Sequence, residues 1–241
     1  MIFSSLSITG RRNANEDSFI FSDNKENMFG IVADGMGGHK GGAVASALAV
    51  KTIESYLMRE GLLSFKKRLE TAIHTANDVI FDRASSSADV HNMGTTVVCA
   101  IVTDEMVSYS HVGDSRIYLM HDRKLKRLTE DHSYVWSLVK DGILDEEGAR
   151  VHKMRNIITR AVGLHETVEV ASDEIAWSEG DILLMCTDGL HDEMPASQIE
   201  QVLQLDEPLN VIAKRLVDTA YGNGSGDNIT VLLIKNTAEA Q

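Results

Sequence analysis

Residues 95–128 read TTVVCAIVTDEMVSYSHVGDSRIYLMHDRKLKRL, and the spacing within this stretch decides the fold. Four apolar or alternating runs, Thr95 to Val102, Met106 to Val112, Arg116 to Met120 and Lys124 to Leu128, are separated by three-residue breaks. Such runs read as strands. Breaks this short leave no room for a crossover helix, so the strands are expected to be antiparallel neighbours.

Strand signals also occur toward the N-terminus, at Ile2 to Thr9, Ser18 to Phe21 and Met28 to Ala33, with a polar turn over Asp23 to Asn27. Two helices are expected next. Ala45, Ala49, Ile53 and Leu57 recur every fourth residue; Phe65, Leu69, Ala72, Ile73, Ala76 and Ile80 form a second stripe, with Ser64 as its N-cap. Asp181 to Cys186 and Ile229 to Ile234 read as buried strands, and two amphipathic helices fit Pro195 to Leu205 and Leu209 to Tyr221. Strands alternating with helix pairs predict an α+β fold of antiparallel sheets covered by helices, not a doubly wound parallel sheet. The segment from about 132 to 163 is charged and irregular, with a short helix expected around Val135 to Lys140.

At 241 residues and 43% hydrophobic, the chain suits one domain, 1–241, with a substantial core. A formal net charge of −13 argues against nucleic acid and anionic membranes as partners, because the summed field repels phosphates. It suits cations, or simply a solvated acidic surface. Cys99 and Cys186 lie in apolar runs and read as buried reduced thiols. No apolar run approaches the roughly 20 residues that span a bilayer, and MIFSSLSITGRR lacks the order of a secretory signal, so no membrane insertion and a cytoplasmic location are expected.

The glycine-rich stretch VADGMGGHKGG, residues 32–42, fits no nucleotide motif: a dinucleotide fingerprint from Gly35 needs glycine where Lys40 stands, and a P-loop needs Gly-Lys-Ser/Thr. It does place Asp34 at the end of a strand beside a glycine with an open carbonyl. The same design returns at Asp114 in HVGDSR, at Asp188 in CTDGL and at Asp227 in GSGDNIT, and Glu16-Asp17 adds two acids between strands. If these meet on one sheet rim, their mutual repulsion calls for cations, and the absence of Cys/His ligand spacing favours Mg²⁺ or Mn²⁺ over zinc. Turn residues and N-caps are the other reading of the same aspartates.

RNANED (residues 12–17), VADGMGGHKGG, Gly94-Thr95-Thr96, HVGDSR, LTEDHS (residues 128–133), CTDGL and GSGDNIT, in this order, resemble the motifs of the metal-dependent protein phosphatases, the type 2C or PPM family. The resemblance runs from about residue 10 to 234. It implies a four-layer α-β-β-α sandwich with a binuclear centre at one edge. Carried over position by position, it implies that Asp34 bridges two Mn²⁺ or Mg²⁺ ions, that the Gly35 carbonyl binds one, and that Asp188 and Asp227 bind the other. Glu16 would act through coordinated water and Asp17 behind it, while Asp114 with Asp188 would form a weaker third site. Arg12 would hold the phosphate and His39 would protonate the leaving group.

The implied activity is hydrolysis of phosphoserine and phosphothreonine in proteins by metal-activated water, reversing Ser/Thr kinase signalling. A covalent route fits poorly, since Glu105 and Asp192 stand six residues after Cys99 and Cys186, where an arginine would be needed, and no Asp-x-Asp pair occurs. The implied partners are phosphoproteins, a cognate Ser/Thr kinase and its substrates among them. Residues 132–163 correspond to the family's variable flap, expected to influence substrate choice. Lys153 and His191 stand where proline and a smaller or aromatic residue are common. A catalytically weak metal-binding regulatory module and a phosphatase of small phosphate esters are the alternative functions.

Overall fold

The computed structural model describes residues 1–37, 41–59, 62–86 and 88–237. In chain order its elements are β1 (Ile2–Ile8), β2 (Asp17–Ser22), β3 (Phe29–Met36), α1 (Gly41–Leu57), α2 (Phe65–Ser86), β4 (Gly94–Thr95), β5 (Val97–Val102), β6 (Met106–Val112), β7 (Arg116–His121) and β8 (Lys124–Arg127). There follow α3 (Tyr134–Lys140), α4 (Glu146–Arg150), β9 (Ala171–Ala176), β10 (Ile182–Cys186), α5 (Asp188–His191), α6 (Ala196–Leu203), α7 (Leu209–Asn223) and β11 (Ile229–Lys235).

Two antiparallel sheets result, one ordered β1-β11-β10-β7-β8 and the other β2-β3-β5-β6-β9, with β4 paired to β3. Three apolar cores separate four layers. Ala45, Ala49, Ile53 and Leu57 of α1 and Leu69, Ile73 and Ile80 of α2 pack on Ile31, Cys99 and Val112 of the second sheet. Ile199, Ile212 and Leu216 pack on Leu184 and Leu233 of the first. Between the sheets, Val32, Val98, Ile117, Leu183 and Leu232 interdigitate. Strands covered on both faces read as unbroken apolar runs, which is why β5, β10 and β11 are legible in the sequence. Phe65, expected in the α2 stripe, is 38% exposed at its first residue.

The four strands of residues 95–128 are not all neighbours. β5 pairs with β6 and β7 with β8, as their turns predict, but β6 and β7 lie in different sheets. The chain crosses between sheets at Gly113-Asp114-Ser115, where Gly113 has φ +100°. A side chain there would put its Cβ 2.7 Å from the Thr96 methyl, so glycine is needed for both conformation and space. The crossing delivers Asp114 to the shared edge of the two sheets.

Two elements carry little sequence signal. β9 (ASDEIA) is a half-exposed edge strand on β6, without apolar alternation. Within residues 132–163, α3 matches the expected helix, while α4 is a single short turn capped by Asp145, whose carboxylate accepts from Gly148 N at 2.7 Å. Bridges Ser133 to Ile158 and Thr95 to Val162 tie both ends of this segment to the sandwich.

Candidate active site

The strand ends and turns singled out in the sequence meet at one edge of the sandwich, around a cleft of about 300 Å³. Arg12, Glu16, Asp34, Gly35, Asp114, Asp188 and Asp227 all line it. Asp34 lies two residues before the end of β3, opposite Asp17, the first residue of β2. Its backbone is held on three counts, by Asp34 N to Thr96 Oγ1 at 3.0 Å and by Thr96 N and Thr95 Oγ1 to Asp34 O at 2.8 Å each. A Cβ on Gly35 would lie 2.1 Å from the Gly42 carbonyl oxygen, so only glycine lets α1 begin against the end of β3.

Asp188 opens α5 directly after β10. Asp227 precedes β11 and accepts a 2.6 Å hydrogen bond from Arg12 Nη2. Asn228, a residue the sequence reading left without a role, locks this corner together: Oδ1 accepts from Glu16 N at 2.8 Å, and Nδ2 donates to Thr9 O and Ala14 O at 2.8 and 2.9 Å. Asp17 lies behind the cleft, accepting from Thr187 Oγ1 at 3.0 Å and Thr230 Oγ1 at 2.6 Å. Both threonines lie within the aspartate motifs themselves, Thr187 in CTDGL and Thr230 in GSGDNIT. Asn156 and Ile158 of the 132–163 segment complete the wall. His39 lies outside the described residues.

Crowding of carboxylates dominates the electrostatics. Asp34 and Asp188 keep an opening to the cleft but are densely surrounded, and Asp114 is 8% exposed. Burial, then the charges of Asp188, Asp17, Asp114 and Asp227, hold Asp34 well above the usual carboxylate range. Burial and then Asp114, Asp192, Asp227 and Asp17 do the same to Asp188. Asp114 is pushed to about 7, mainly by burial, and Asp17 to about 6, where burial outweighs the two threonine hydrogen bonds. Among the described residues lining the cleft, Arg12 is the only cationic side chain.

This donor set fits hard divalent cations. It consists of carboxylate oxygens beside the Gly35 backbone, and Oδ1 of Asp188 and of Asp17 are buried without a hydrogen-bond partner among the described residues. The carboxylates form an open rim: among the described residues, no three His, Cys, Asp or Glu side chains close around a single point. Burial pushes the Cys99 and Cys186 thiols up, Cys186 to about 12, which makes both poor nucleophiles.

Several known proteins similar to this chain carry the name of serine/threonine phosphatase. The protein phosphatase 2C family pattern matches residues 9–220. The serine/threonine phosphatase Stp of Listeria monocytogenes is 38% identical over 229 residues, covering 93% of this chain and 91% of its own. The serine/threonine phosphatase PstP/Ppp of Mycobacterium tuberculosis superposes with a TM-score of 0.91 at 32% identity, over 98% of this chain and 99% of that one. The catalytic domain of PstP in complex with two manganese ions superposes with a TM-score of 0.86 at 31% identity, covering 96% of each chain.

Proposed function

Because the chain belongs to the protein phosphatase 2C family and is a metal-dependent protein serine/threonine phosphatase, we propose that its cleft works with two Mn²⁺ or Mg²⁺ ions held by Asp34, the Gly35 carbonyl, Asp188 and Asp227. Asp114 with Asp188 would take a weaker third. The observation that carries this reading is the crowding of Asp34, Asp114 and Asp188, whose burial and mutual repulsion leave them short of positive charge.

Such cations supply charge neutralisation of the phosphoryl group and a water acidic enough to ionise near neutral pH. The chain's own residues do the rest. Arg12 offers a planar fork to two phosphoryl oxygens. Glu16 would act through water, and Asp17 would support it from behind the cleft, where Thr187 and Thr230 hold its carboxylate. His39 gives the proton that a departing serine or threonine oxygen requires, since an alkoxide is a poor leaving group. Asn228 keeps the Arg12 loop against the Asp227 turn.

Residues 132–163 act as a flap that shapes access for phosphoproteins, a reading supported by Asn156 and Ile158 in the cleft wall. A cognate Ser/Thr kinase and its substrates are the expected phosphoproteins. The buried reduced cysteines and the acidic composition support a cytoplasmic setting, and no described helix is long and apolar enough to cross a membrane.

Phosphate release from a phosphothreonine peptide and from a small aryl phosphate, with Mn²⁺ and with chelator, tests the reading in the wild type, Asp34→Ala and Asp188→Ala. Metal-dependent release nearly abolished by both substitutions is expected. Robust release in chelator, or full activity of either variant, would overturn it.

A further inference from the structure

We infer that His191 is a positioning residue for the cation site at Asp114 and Asp188, tying the β6–β7 crossing to α5. The inference rests on the proposed reading of those two carboxylates as cation ligands. His191 is 3% exposed and stands three residues after Asp188, on the same side of the single turn of α5. Its Nε2 lies 3.1 Å from the Asp114 carbonyl oxygen. A carbonyl oxygen only accepts, so Nε2 carries the proton and donates.

Apart from the β7–β10 ladder, which pairs Arg116 with Cys186, the other bonds of the crossing lead elsewhere. Gly113 exchanges hydrogen bonds with His132, from Gly113 N to Nδ1 at 3.1 Å and from His132 N to Gly113 O at 2.9 Å. Ser115 Oγ meets Thr96 Oγ1 at 2.7 Å, and Arg116 forks onto Asp131 at 2.6 to 3.2 Å. Among the described residues, the His191 bond is the one hydrogen bond joining residues 113–115 to α5. The two carboxylates it links repel each other. That repulsion favours separation of the two elements, and the His191 bond opposes it by holding the Asp114 backbone against α5. Partners that orient metal ligands from behind are typically worth about 10–100-fold in metal affinity.

A purely structural histidine would fill space, since His191 also forms part of the wall of a neighbouring cavity of about 410 Å³. The two roles separate by substitution. His191→Phe fills the site without a donor, whereas His191→Gln can present an amide N–H where Nε2 stands. Calorimetric titration of the full chain with Mn²⁺ is expected to show a tight class and a weaker class of sites in the wild type. His191→Phe should weaken the second class about tenfold or more, leave the first unchanged and melt like the wild type in chelator, while His191→Gln stays within about threefold.

A weaker site unmoved by His191→Phe, or lost equally in both variants, would overturn the inference alone. A wild type with only the tight class would overturn the third-cation reading and the inference with it. If His191→Phe fails to fold, His191→Asn, whose amide falls short of the carbonyl, is compared with His191→Gln under the same criteria.

Discussion

Arg12 donates through Nη2 to Asp227 Oδ2 at 2.6 Å, so the guanidinium expected to grip phosphate is closed onto a carboxylate expected to grip a cation. The pairing has a local cause: Gly10, at φ +62°, lets its turn press against the Asp227 carbonyl, which would lie 2.0 Å from a Cβ. A cation held by Asp227, as proposed, would take over that carboxylate and leave the Arg12 fork free for phosphate. Arg12→Ala should therefore lower kcat/KM on a phosphopeptide by about 10–100-fold, as expected for losing a charge-assisted pair, chiefly through KM. Arg12→Lys should recover part of the loss. Because the pair is 55% and 34% exposed, melting in chelator should hardly move, as exposed ion pairs are worth at most about 1 kcal/mol. An unchanged KM in steady-state assays would remove Arg12 from substrate binding.

Asp188 illustrates a site that opposes its own fold. Its carboxylate is pushed up by burial and by Asp114, Asp192 and Asp227, and its Oδ1 has no hydrogen-bond partner among the described residues. Asp188→Asn removes the repulsion at nearly constant shape. In chelator the variant should melt about 2–4 °C higher, the size of about 1 kcal/mol in a chain of this length. It should also lose most of the stabilisation that Mn²⁺ gives the wild type, and its activity. Scanning calorimetry with and without Mn²⁺ checks this, and a lower melting temperature in chelator would contradict it.

The layered fold was legible because central strands such as β5, β10 and β11 are apolar on both faces and the α1 stripe is regular. The crossing at Gly113 was not, since a three-residue break serves a hairpin and a change of sheet equally well; the pairing of β6 with β9 and of β7 with β10 distinguishes them. Within the site, the aspartates stood out by sitting at strand ends. Their supports did not: Thr187 and Thr230 grip Asp17 from far along the chain, and Asn228 holds three backbone groups, arrangements that exist only once β2, β10 and β11 converge.

His132 gives a pH dependence with a definite sign. It stacks on His111 at 4.8 Å between ring centroids, and Nδ1 accepts from Gly113 N. Burial, followed by His111 and Arg160, lowers it to about 3, whereas an unfolded histidine titrates near 6.5. Between those values the unfolded chain holds a proton that the folded one refuses, so this contribution to stability is full above about pH 6.5 and is lost as pH falls toward 3. His132→Asn can keep the acceptor for Gly113 N without the titration. Denaturant melts from about pH 7 to 4 should show roughly one proton fewer taken up on unfolding in the variant than in the wild type. Equal pH slopes would show that His132 does not titrate in this way.

Two arginines of the 132–163 segment are committed to partners within the structure. Arg150 bonds to Glu147 and donates through Nη1 to the Asp192 carbonyl at 2.9 Å, while Arg155 Nε donates to Asp192 Oδ2 at 2.9 Å. Asp192 directly follows α5, so both side chains fasten the 132–163 segment beside Asp188. Lys153, with the exposed Met154 and Ile157, faces solvent instead. Two outcomes should therefore separate. Lys153→Glu should shift relative rates across a panel of acidic and basic phosphopeptides, toward basic ones, with amide exchange in residues 132–163 unchanged. Arg155→Ala should speed amide exchange across that segment and lower kcat/KM on all peptides alike. If Arg155→Ala instead changed peptide preference while exchange stayed slow, Arg155 would be a substrate contact and the Asp192 pairing incidental.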